Sequence, residues 1–178
     1  MRLVILDRDG VINEDSDEFI KTPEEWLAIP GSLEAIADLH HADYHVVVAT
    51  NQSGIARGLL DLDMLGRIHQ KMRERIHDTG GALDAVFFCP HGPDDQCDCR
   101  KPKPGLYRDI GKRLGVSLKD VPVIGDSLRD LQAAQAVGAR PILVRTGKGR
   151  DTESRLEDTS IPVYDDLAHA VARLLAAD

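Results

Sequence analysis

The sequence lacks a long apolar run, an excess of basic residues and enough cysteines for a disulfide framework. No stretch approaches the roughly 20 apolar residues that span a bilayer, and residues 1–7 reach an aspartate too early for a signal peptide. We therefore expect a cytoplasmic protein. With 22 basic and 30 acidic residues, the net charge is −8, which argues against nonspecific binding to nucleic acid or anionic lipid.

Internal repeats, low-complexity tracts and long linkers are also absent from the sequence. The 178 residues, 42% apolar and 29% charged, have ordinary globular composition and can build a hydrophobic core. We predict a single domain over residues 1–178 and expect a monomer.

Short apolar runs alternate with helix-patterned segments along the chain. The predicted strands are 3–6, 44–49, 85–88, 121–124, 141–144 and 161–164, and the predicted helices are 32–41, 61–79, 104–114, 128–137 and 165–175. This alternation predicts an α/β fold with a parallel sheet and helices on both faces. Segments 13–30 and 89–103 interrupt it, and we expect both over the strand ends, where ligands bind in such folds. Residues 147–150 read as a flexible basic turn.

Aspartates follow two of the predicted strands directly. Asp7 and Asp9 come after the first strand and Asp126 after strand 121–124, so their carboxylates should converge. Hydrolysis of a phosphate monoester needs a nucleophile, charge neutralisation and a proton donor. Asp7 would attack phosphorus, and Asp9 would act as acid and then base. Asp7, Asp9 and Asp126 also suit magnesium, with Asp130 as a supporting or surface helix residue.

Polar and basic side chains complete the predicted site. Thr50 ends strand 44–49 and begins a cluster of hydrogen-bonding groups suited to a phosphoryl oxygen, although a plain polar turn is the alternative. Two prolines stiffen the segment that carries the predicted phosphate cations Arg100 and Lys101. The further predicted substrate contacts are Asn51, Gln52, Ser53 and Arg57.

For other residues we predict a less specific role. Trp26 is expected to be a hydrophobic plug rather than a substrate contact. The basic residues of the later loops either steer anions or are solvated: Arg145, Lys148 and Arg150. Six histidines are interpreted as surface or packing residues: His40, His41, His45, His69, His77 and His169.

The three cysteines and one histidine of segment 89–99 have the spacing of a metal site. Cys89, His91, Cys97 and Cys99 are the four soft ligands of a closed tetrahedral structural zinc site. A redox or buried-thiol cluster is the alternative. The zinc would fix the backbone just before Arg100 and would not take part in chemistry.

Four segments resemble, in order, the motifs of the haloacid dehalogenase superfamily of phosphatases: 7–10, 50–54, 100–102 and 125–126. The resemblance implies a Rossmann-like three-layer sandwich with insertable caps. It implies Asp7 as nucleophile, Asp9 as general acid and base, Thr50 and Lys101 as holders of the phosphoryl group, and Asp126 as a magnesium ligand. No insertion here is large enough for a cap domain, so we expect an open site.

Segments 6–10 and 51–58 together are similar to the subfamily that contains phosphatases of heptose 1,7-bisphosphate, in lipopolysaccharide core precursor synthesis, and of histidinol phosphate. Residues 53–58 favour the 7-phosphate of the heptose compound as the substrate. Where the subfamily usually has an acidic-His-Gly-Tyr segment, this chain has four residues that we predict to contact substrate: Asp15, Ser16, Asp17 and Glu18. Ser127 stands where a lysine is common, which removes one cation from the phosphate site.

Two other classes of protein remain as alternatives. A signalling receiver domain also carries a phospho-accepting aspartate on a parallel sheet, but its acceptor follows the third strand, which here ends at Cys89. A zinc-dependent interaction module without activity would leave the acidic strand ends unexplained.

Overall fold

The structure, a computed structural model, describes residues 1–177. Its strands are β1 (Arg2–Leu6), β2 (Tyr44–Asn51), β3 (Ala85–Cys89), β4 (Pro122–Gly125), β5 (Arg140–Val144) and β6 (Val163–Tyr164). Its helices are α1 (Ser32–His41), α2 (Leu62–Asp78), α3 (Gly105–Leu114), α4 (Leu128–Ala136), α5 (Gly149–Ser154) and α6 (Leu167–Ala176). The predicted α/β class is confirmed. Among the described residues, no helix combines the length and the apolar character needed to cross a membrane.

The six strands form one parallel sheet in the order β3-β2-β1-β4-β5-β6. Strand β1 lies between β2 and β4, with Leu6 opposite both Val48 and Ile124. The chain crosses from one half of the sheet to the other beside β1, which is where ligands bind in open α/β sheets. The carboxyl ends of β1, β2 and β4 therefore meet at one edge.

The sheet is buried on both faces because its central strands are apolar at nearly every position. In β1, Val4 and Leu6 pack into a core with α1, α2 and α6. The alternate residues Leu3 and Ile5 pack into a second core with α3 and α4. Two packed faces hold the end of β1 in place, and the site is built on that end.

Helix α5 corrects the prediction of a flexible turn at residues 147–150. It begins at Gly149, and a side-chain carbon there would lie 1.7 Å from the carbonyl oxygen of Val144. Thr152 is buried, and its hydroxyl donates to the carbonyl of Asp126 at 2.8 Å. The helix has six residues and little apolar periodicity, so the sequence pattern gave no signal for it.

Segment 13–30 packs against the core through Trp26, which is buried. The ammonium of Lys71 on α2 donates to the carbonyl oxygens of Pro23 and Trp26 at 2.6 and 2.9 Å. The same ammonium lies 5.9 Å from the centroid of the Trp26 ring. The interpretation of Trp26 as a hydrophobic packing residue is confirmed, since it does not line the cavity described next.

Candidate active site and metal centres

A cavity of about 330 Å³ opens at the carboxyl ends of the central strands. It brings together the predicted catalytic residues, Asp126 and every predicted substrate contact except Glu18, which is exposed beside it. Its lining includes Asp7, Asp9, Asp15, Ser16, Asp17, Thr50, Asn51, Gln52, Ser53, Arg57, Arg100, Lys101, Asp126 and Ser127. Sequence reasoning missed Phe19, Ile20, Pro93 and Arg129, which also line it.

Three carboxylates in this cavity have oxygens within 4.8 Å of one another: Asp7, Asp126 and Asp130. Burial and the neighbouring charge of Asp130 raise the pKa of Asp7 to about 7. Burial, Asp130 and Asp7 raise the pKa of Asp126 to about 8. A hard divalent cation relieves such crowding of negative charge, and oxygen ligands of this kind suit magnesium.

The sequence predicted Asp9 as the third acidic ligand, but the carboxylate of Asp9 is not part of this group, whose third member is Asp130. Oδ1 of Asp9 accepts from Nε and Nη2 of Arg8 at 3.0 and 2.8 Å and from Asn13 at 2.9 Å. Oδ2 accepts from the amide of Gln52 at 2.9 Å. Burial acts to raise the pKa of Asp9, but the charge of Arg8 and these hydrogen bonds hold it below its usual value.

Lys101 is a buried cation at the base of the site. Its Nζ lies 3.1 Å from Oδ1 of Asp7 and 2.6 Å from Oδ1 of Asp130, and it donates to the carbonyl of Ala49 at 2.7 Å. Burial acts against the ammonium, but the charges of Asp130 and Asp7 raise the pKa of Lys101 above its ordinary value. Lys101 therefore stays charged beside the predicted nucleophile.

Of the two alternatives predicted for Asp130, the surface helix residue is wrong, since Asp130 is 1% exposed, and its contact with Lys101 agrees with the supporting residue. Its Oδ2 accepts from the hydroxyl of Ser127 at 2.9 Å and from the backbone N–H of Ser127 at 3.1 Å. The bond from the Ser127 N–H, together with one from the Asp130 N–H to the Ser127 side chain, forms a capping box at the start of α4. A serine followed three residues later by an acidic residue is the sequence signal of such a cap. This signal could have identified Ser127 as the first residue of the cap and Asp130 as its buried partner.

Asp126 is packed between two glycines. Its Oδ2 accepts from the backbone N–H of Lys148 at 2.8 Å. A side-chain carbon on Gly10 or Gly147 would lie 2.1 or 2.2 Å from that oxygen, and both glycines have positive φ, 82° and 56°. Only glycine fits this approach, so the turns after β1 and β5 fix the Asp126 carboxylate.

Sequence reasoning also missed Arg8, whose side chain is fully buried. Its Nη1 lies 3.1 Å from Nε2 of His69 on α2. His69 is buried among the apolar stripe of that helix, which includes Leu65, Ile68 and Met72. That helical spacing was readable from the sequence and places His69 on the inner face of α2.

Besides Lys101, four cations line the cavity: Arg57, Arg100, Arg129 and Lys148. The guanidinium of Arg57 lies 5.4 Å from the centroid of the Phe19 ring, and Arg100 donates to the carbonyl of His91 at 3.3 Å. Burial and the charge of Arg129 lower the pKa of Arg100. Such mutual repulsion favours an anion at the mouth.

Cys89, His91, Cys97 and Cys99 form a second cluster, with ligand atoms within 4.8 Å of one another. Sγ of Cys89 lies 3.1 Å from Sγ of Cys99 and 3.8 Å from Sγ of Cys97. Nδ1 of His91 lies 3.3 Å from Sγ of Cys99. Three free thiols and one imidazole that converge in this way fit the donor set of a tetrahedral zinc ion.

Comparison with known families defines the class. The HAD-hydrolase-like family matches residues 98–170 and the polynucleotide kinase 3 phosphatase family matches residues 3–128. The chain belongs to the haloacid dehalogenase-like phosphatases, which confirms the resemblance found in the motifs. This membership favours an enzyme over a receiver domain or an inactive interaction module.

Individual relatives narrow that class. The chain is 57% identical, over 98% of each sequence, to a D-glycero-beta-D-manno-heptose-1,7-bisphosphate 7-phosphatase of Bordetella bronchiseptica. It is 53% identical, over 97% of each sequence, to the protein of that name from Pseudomonas aeruginosa.

Solved structures agree with these relatives. The crystal structure of D,D-heptose 1,7-bisphosphate phosphatase from B. bronchiseptica, complexed with magnesium and phosphate, matches with a TM-score of 0.98 at 56% identity, covering all of both chains. The Burkholderia thailandensis enzyme matches with a TM-score of 0.79 at 45% identity, covering 99% of each chain.

Proposed function

We propose that this chain is a magnesium-dependent phosphatase that removes the 7-phosphate of D-glycero-D-manno-heptose 1,7-bisphosphate through an aspartyl-phosphate on Asp7. The observation that carries the proposal is the position of Asp7 at the end of β1. Lys101 lies 3.1 Å from its carboxylate, and the acidic oxygens of Asp126 lie within 4.8 Å. Relatives more than 50% identical over nearly the whole chain bear the name of this activity.

In the first step, a carboxylate oxygen of Asp7 attacks phosphorus while the bond from phosphorus to the sugar oxygen breaks. Asp9 gives its proton to the departing oxygen, so the sugar leaves as an alcohol. Lys101 neutralises charge on the transferring group together with the Thr50 hydroxyl and backbone N–H groups of the loop that follows β2. The products of this step are the sugar monophosphate, the aspartyl-phosphate and an ionised Asp9.

In the second step, water attacks the phosphorus of the aspartyl-phosphate. The Asp9 carboxylate takes a proton from that water, and the bond between phosphorus and the Asp7 oxygen breaks. Orthophosphate leaves, Asp7 is ionised again, and Asp9 is protonated for the next turnover. Arg8 holds the pKa of Asp9 low, so this carboxylate is ionised before substrate binds, and its role as acid in the first step needs the anionic substrate to raise that pKa.

Asp7 and Asp126 are the residues that we assign to the magnesium ion, with Asp130 fixing Lys101 beside them. Bound magnesium supplies positive charge that screens the acidic site from the anionic substrate. The solved relative that is complexed with magnesium and phosphate supports magnesium as the ion. We assign the thiol cluster to a structural zinc ion, on the basis of its four soft ligands.

The mouth of the cavity suits a substrate with a second phosphate. Arg57, Arg100 and Arg129 offer charge for the phosphate that is not hydrolysed. Asp15 and Asp17 offer acceptors for sugar hydroxyls, while exposed Glu18 is left without a proposed contact. We infer one domain with segments 13–30 and 89–103 as its site loops, and a cytoplasmic location that keeps the three thiols reduced.

The test is steady-state hydrolysis of the α and β anomers of the heptose 1,7-bisphosphate and of histidinol phosphate, with and without magnesium. We expect the heptose bisphosphate to have the highest kcat/KM, with the β anomer preferred because the relatives are named for it. Activity should need magnesium. Equal or higher kcat/KM for histidinol phosphate would overturn the assignment of heptose bisphosphate as the substrate. Absence of all phosphatase activity in folded, magnesium-loaded protein would overturn the assignment as a phosphatase.

A further inference from the structure

The fully buried guanidinium of Arg8 lies between the two catalytic aspartates in sequence. A buried cation is costly unless its donors are satisfied. Nε and Nη2 of Arg8 bind one oxygen of Asp9, at 3.0 and 2.8 Å. Nη1, on the other arm, lies 3.1 Å from Nε2 of His69. The histidine of α2 is thus joined to the proposed acid and base through one arginine.

The direction of the contact between Arg8 and His69 follows from chemistry. A guanidinium has only donors, so Nε2 of His69 must accept and the imidazole must be neutral with its proton on Nδ1. Burial and the charge of Arg8 lower the pKa of His69 to about 3, which keeps the ring neutral at neutral pH. His69 is therefore a fixed acceptor for Arg8.

This contact has a consequence for Asp9. Its Oδ1 is filled by Arg8 and by Asn13, whereas its Oδ2 accepts from Gln52. Oδ2 is therefore the oxygen with room to carry a proton. The direction in which Oδ2 points depends on the orientation of the Arg8 guanidinium, because Arg8 holds the other oxygen of the same carboxylate. Proton transfer is sensitive to the position of the oxygen that carries the proton.

We propose that His69 is a positioning residue for proton transfer: it fixes Arg8, and Arg8 aims Oδ2 of Asp9 at the leaving oxygen. The proposal rests on the role of Asp9 in the proposed function. It predicts that loss of the acceptor on His69 harms the reaction most when the leaving group needs a proton. An alkyl phosphate such as a sugar phosphate needs one, while p-nitrophenyl phosphate releases a phenolate that does not.

The experiment compares His69→Leu, which lacks an acceptor, with His69→Gln, whose amide oxygen can accept from Arg8. His77→Leu is the matched control, because His77 is exposed on the same helix, about two turns away. The measured quantity is kcat/KM for heptose bisphosphate divided by kcat/KM for p-nitrophenyl phosphate. Because it is a ratio within one preparation, it does not depend on the fraction of folded protein.

For His69→Leu we expect this ratio to fall about tenfold, with KM for the sugar phosphate within about twofold of wild type. His69→Gln should keep the ratio within about threefold, and His77→Leu should leave it unchanged. A His69→Leu ratio equal to wild type would overturn the proposal, as would equal losses in the Leu and Gln variants.

Failure of the proposed function gives a different result. If the wild type hydrolyses another alkyl phosphate instead of the heptose bisphosphate, the substrate proposal is wrong, and the same ratio measured with that alkyl phosphate decides the role of His69. If the wild type hydrolyses no alkyl phosphate, both proposals are overturned.

Discussion

The two candidate metal centres of this protein are built in opposite ways. The carboxylate centre joins Asp7, Asp126 and Asp130 from the ends of different strands and the start of α4. The thiol centre uses ligands from residues 89–99 alone. In the first, like charges crowd in a buried place and raise the pKa of two carboxyls. The second offers four ligands that close a tetrahedron. The comparison indicates that the carboxylate centre, where the fold brings like charges together, is suited to catalysis. The thiol centre, whose ligands are close in sequence, is suited to holding a loop in place.

The two centres meet at Lys101, two residues after the last cysteine. Besides the thiol cluster, one side chain of β2 holds this loop: Asn51 donates to the carbonyl of Lys101 at 3.0 Å, and its Oδ1 accepts from the Lys101 N–H at 3.1 Å. The backbone at Lys101 thus has two supports, the thiol cluster just before it and Asn51 of the sheet.

The largest expected effect separates chemistry from folding at the carboxylate centre. We expect Asp7→Asn to lower kcat on the heptose bisphosphate by at least about 10³-fold, because an amide does not attack phosphorus. The melting temperature should stay at or above that of wild type, since the charge removed is one that burial opposes. Steady-state kinetics and thermal unfolding measure the two effects.

The control for this variant is Asp61→Asn. Asp61 caps α2 by accepting from the backbone N–H of Met64, and asparagine caps equally well, so activity should be unchanged. Turnover by Asp7→Asn at the wild-type rate would overturn Asp7 as the nucleophile.

At the thiol centre the order of effects should be reversed. We expect Cys97→Ser to lose about 3 kcal/mol of stability, seen as a fall of about 10 °C in melting temperature, because a structural metal contributes folding free energy. The kcat should fall only about tenfold, since Asn51 still holds Lys101. Thermal unfolding and metal analysis by mass spectrometry check this.

Asp94→Ser is the matched change in the same loop, since Asp94 is exposed. It should leave both quantities unchanged. A melting temperature for Cys97→Ser equal to that of wild type would count against a structural zinc.

A third expected effect depends on pH. Without magnesium, the raised pKa values of Asp7 and Asp126, about 7 and about 8, mean that the folded state holds protons that the unfolded state has lost. The raised pKa values do not lower the stability of the folded state below pH 3.8, the unfolded pKa. The loss of stability grows from there until the pH passes the folded pKa of about 8. We expect Asp126→Asn to gain about 6 °C in melting temperature relative to wild type between pH 5 and pH 9.

Taking the difference between the two proteins cancels the contribution of His69, whose lowered pKa acts in the opposite direction in acid. Added magnesium should remove the gain by binding to the wild type. A difference in melting temperature that does not change with pH would show that repulsion among the carboxylates does not destabilise the folded protein.

The smallest effect concerns the link between the centres. We expect Asn51→Ala to cost about 1 kcal/mol of stability, because water replaces partners at a half-buried position, and to lower kcat about threefold. The double variant with Cys97→Ser should lose more kcat than the product of the two single losses. Multiplicative losses would mean that the two supports act independently.

Much of the fold was readable from the sequence because its signals are local. The apolar runs predicted all six strands, and the position of Asp7 and Asp126 after two of them predicted that their carboxylates would meet. Helix α5 escaped prediction because contacts with β5 and Asp126 hold it in place rather than a periodic apolar face.

The site residues that prediction missed are defined by tertiary contacts. Arg8 carries no periodic signal, and its burial follows only once Asp9 and His69 are brought beside it. Asp130 pairs with a lysine from a loop distant in sequence. The inner face of α2 and the serine cap of α4 did carry sequence signals, in the helical spacing of apolar residues and in the pairing of a serine with an acidic residue three positions later.

The central position of β1 in the sheet has a practical consequence for engineering. The proposed nucleophile Asp7 follows a strand that is packed on both faces, while most of segment 13–30 extends over the cavity between Asn13 and α1. Residues 14–30, which lie between Asn13 and α1, can therefore be exchanged for a relative's version with Asp7, Asp9 and Lys101 left in place. Grafting of single loops is thus a direct route to variants that accept other alcohols as leaving groups.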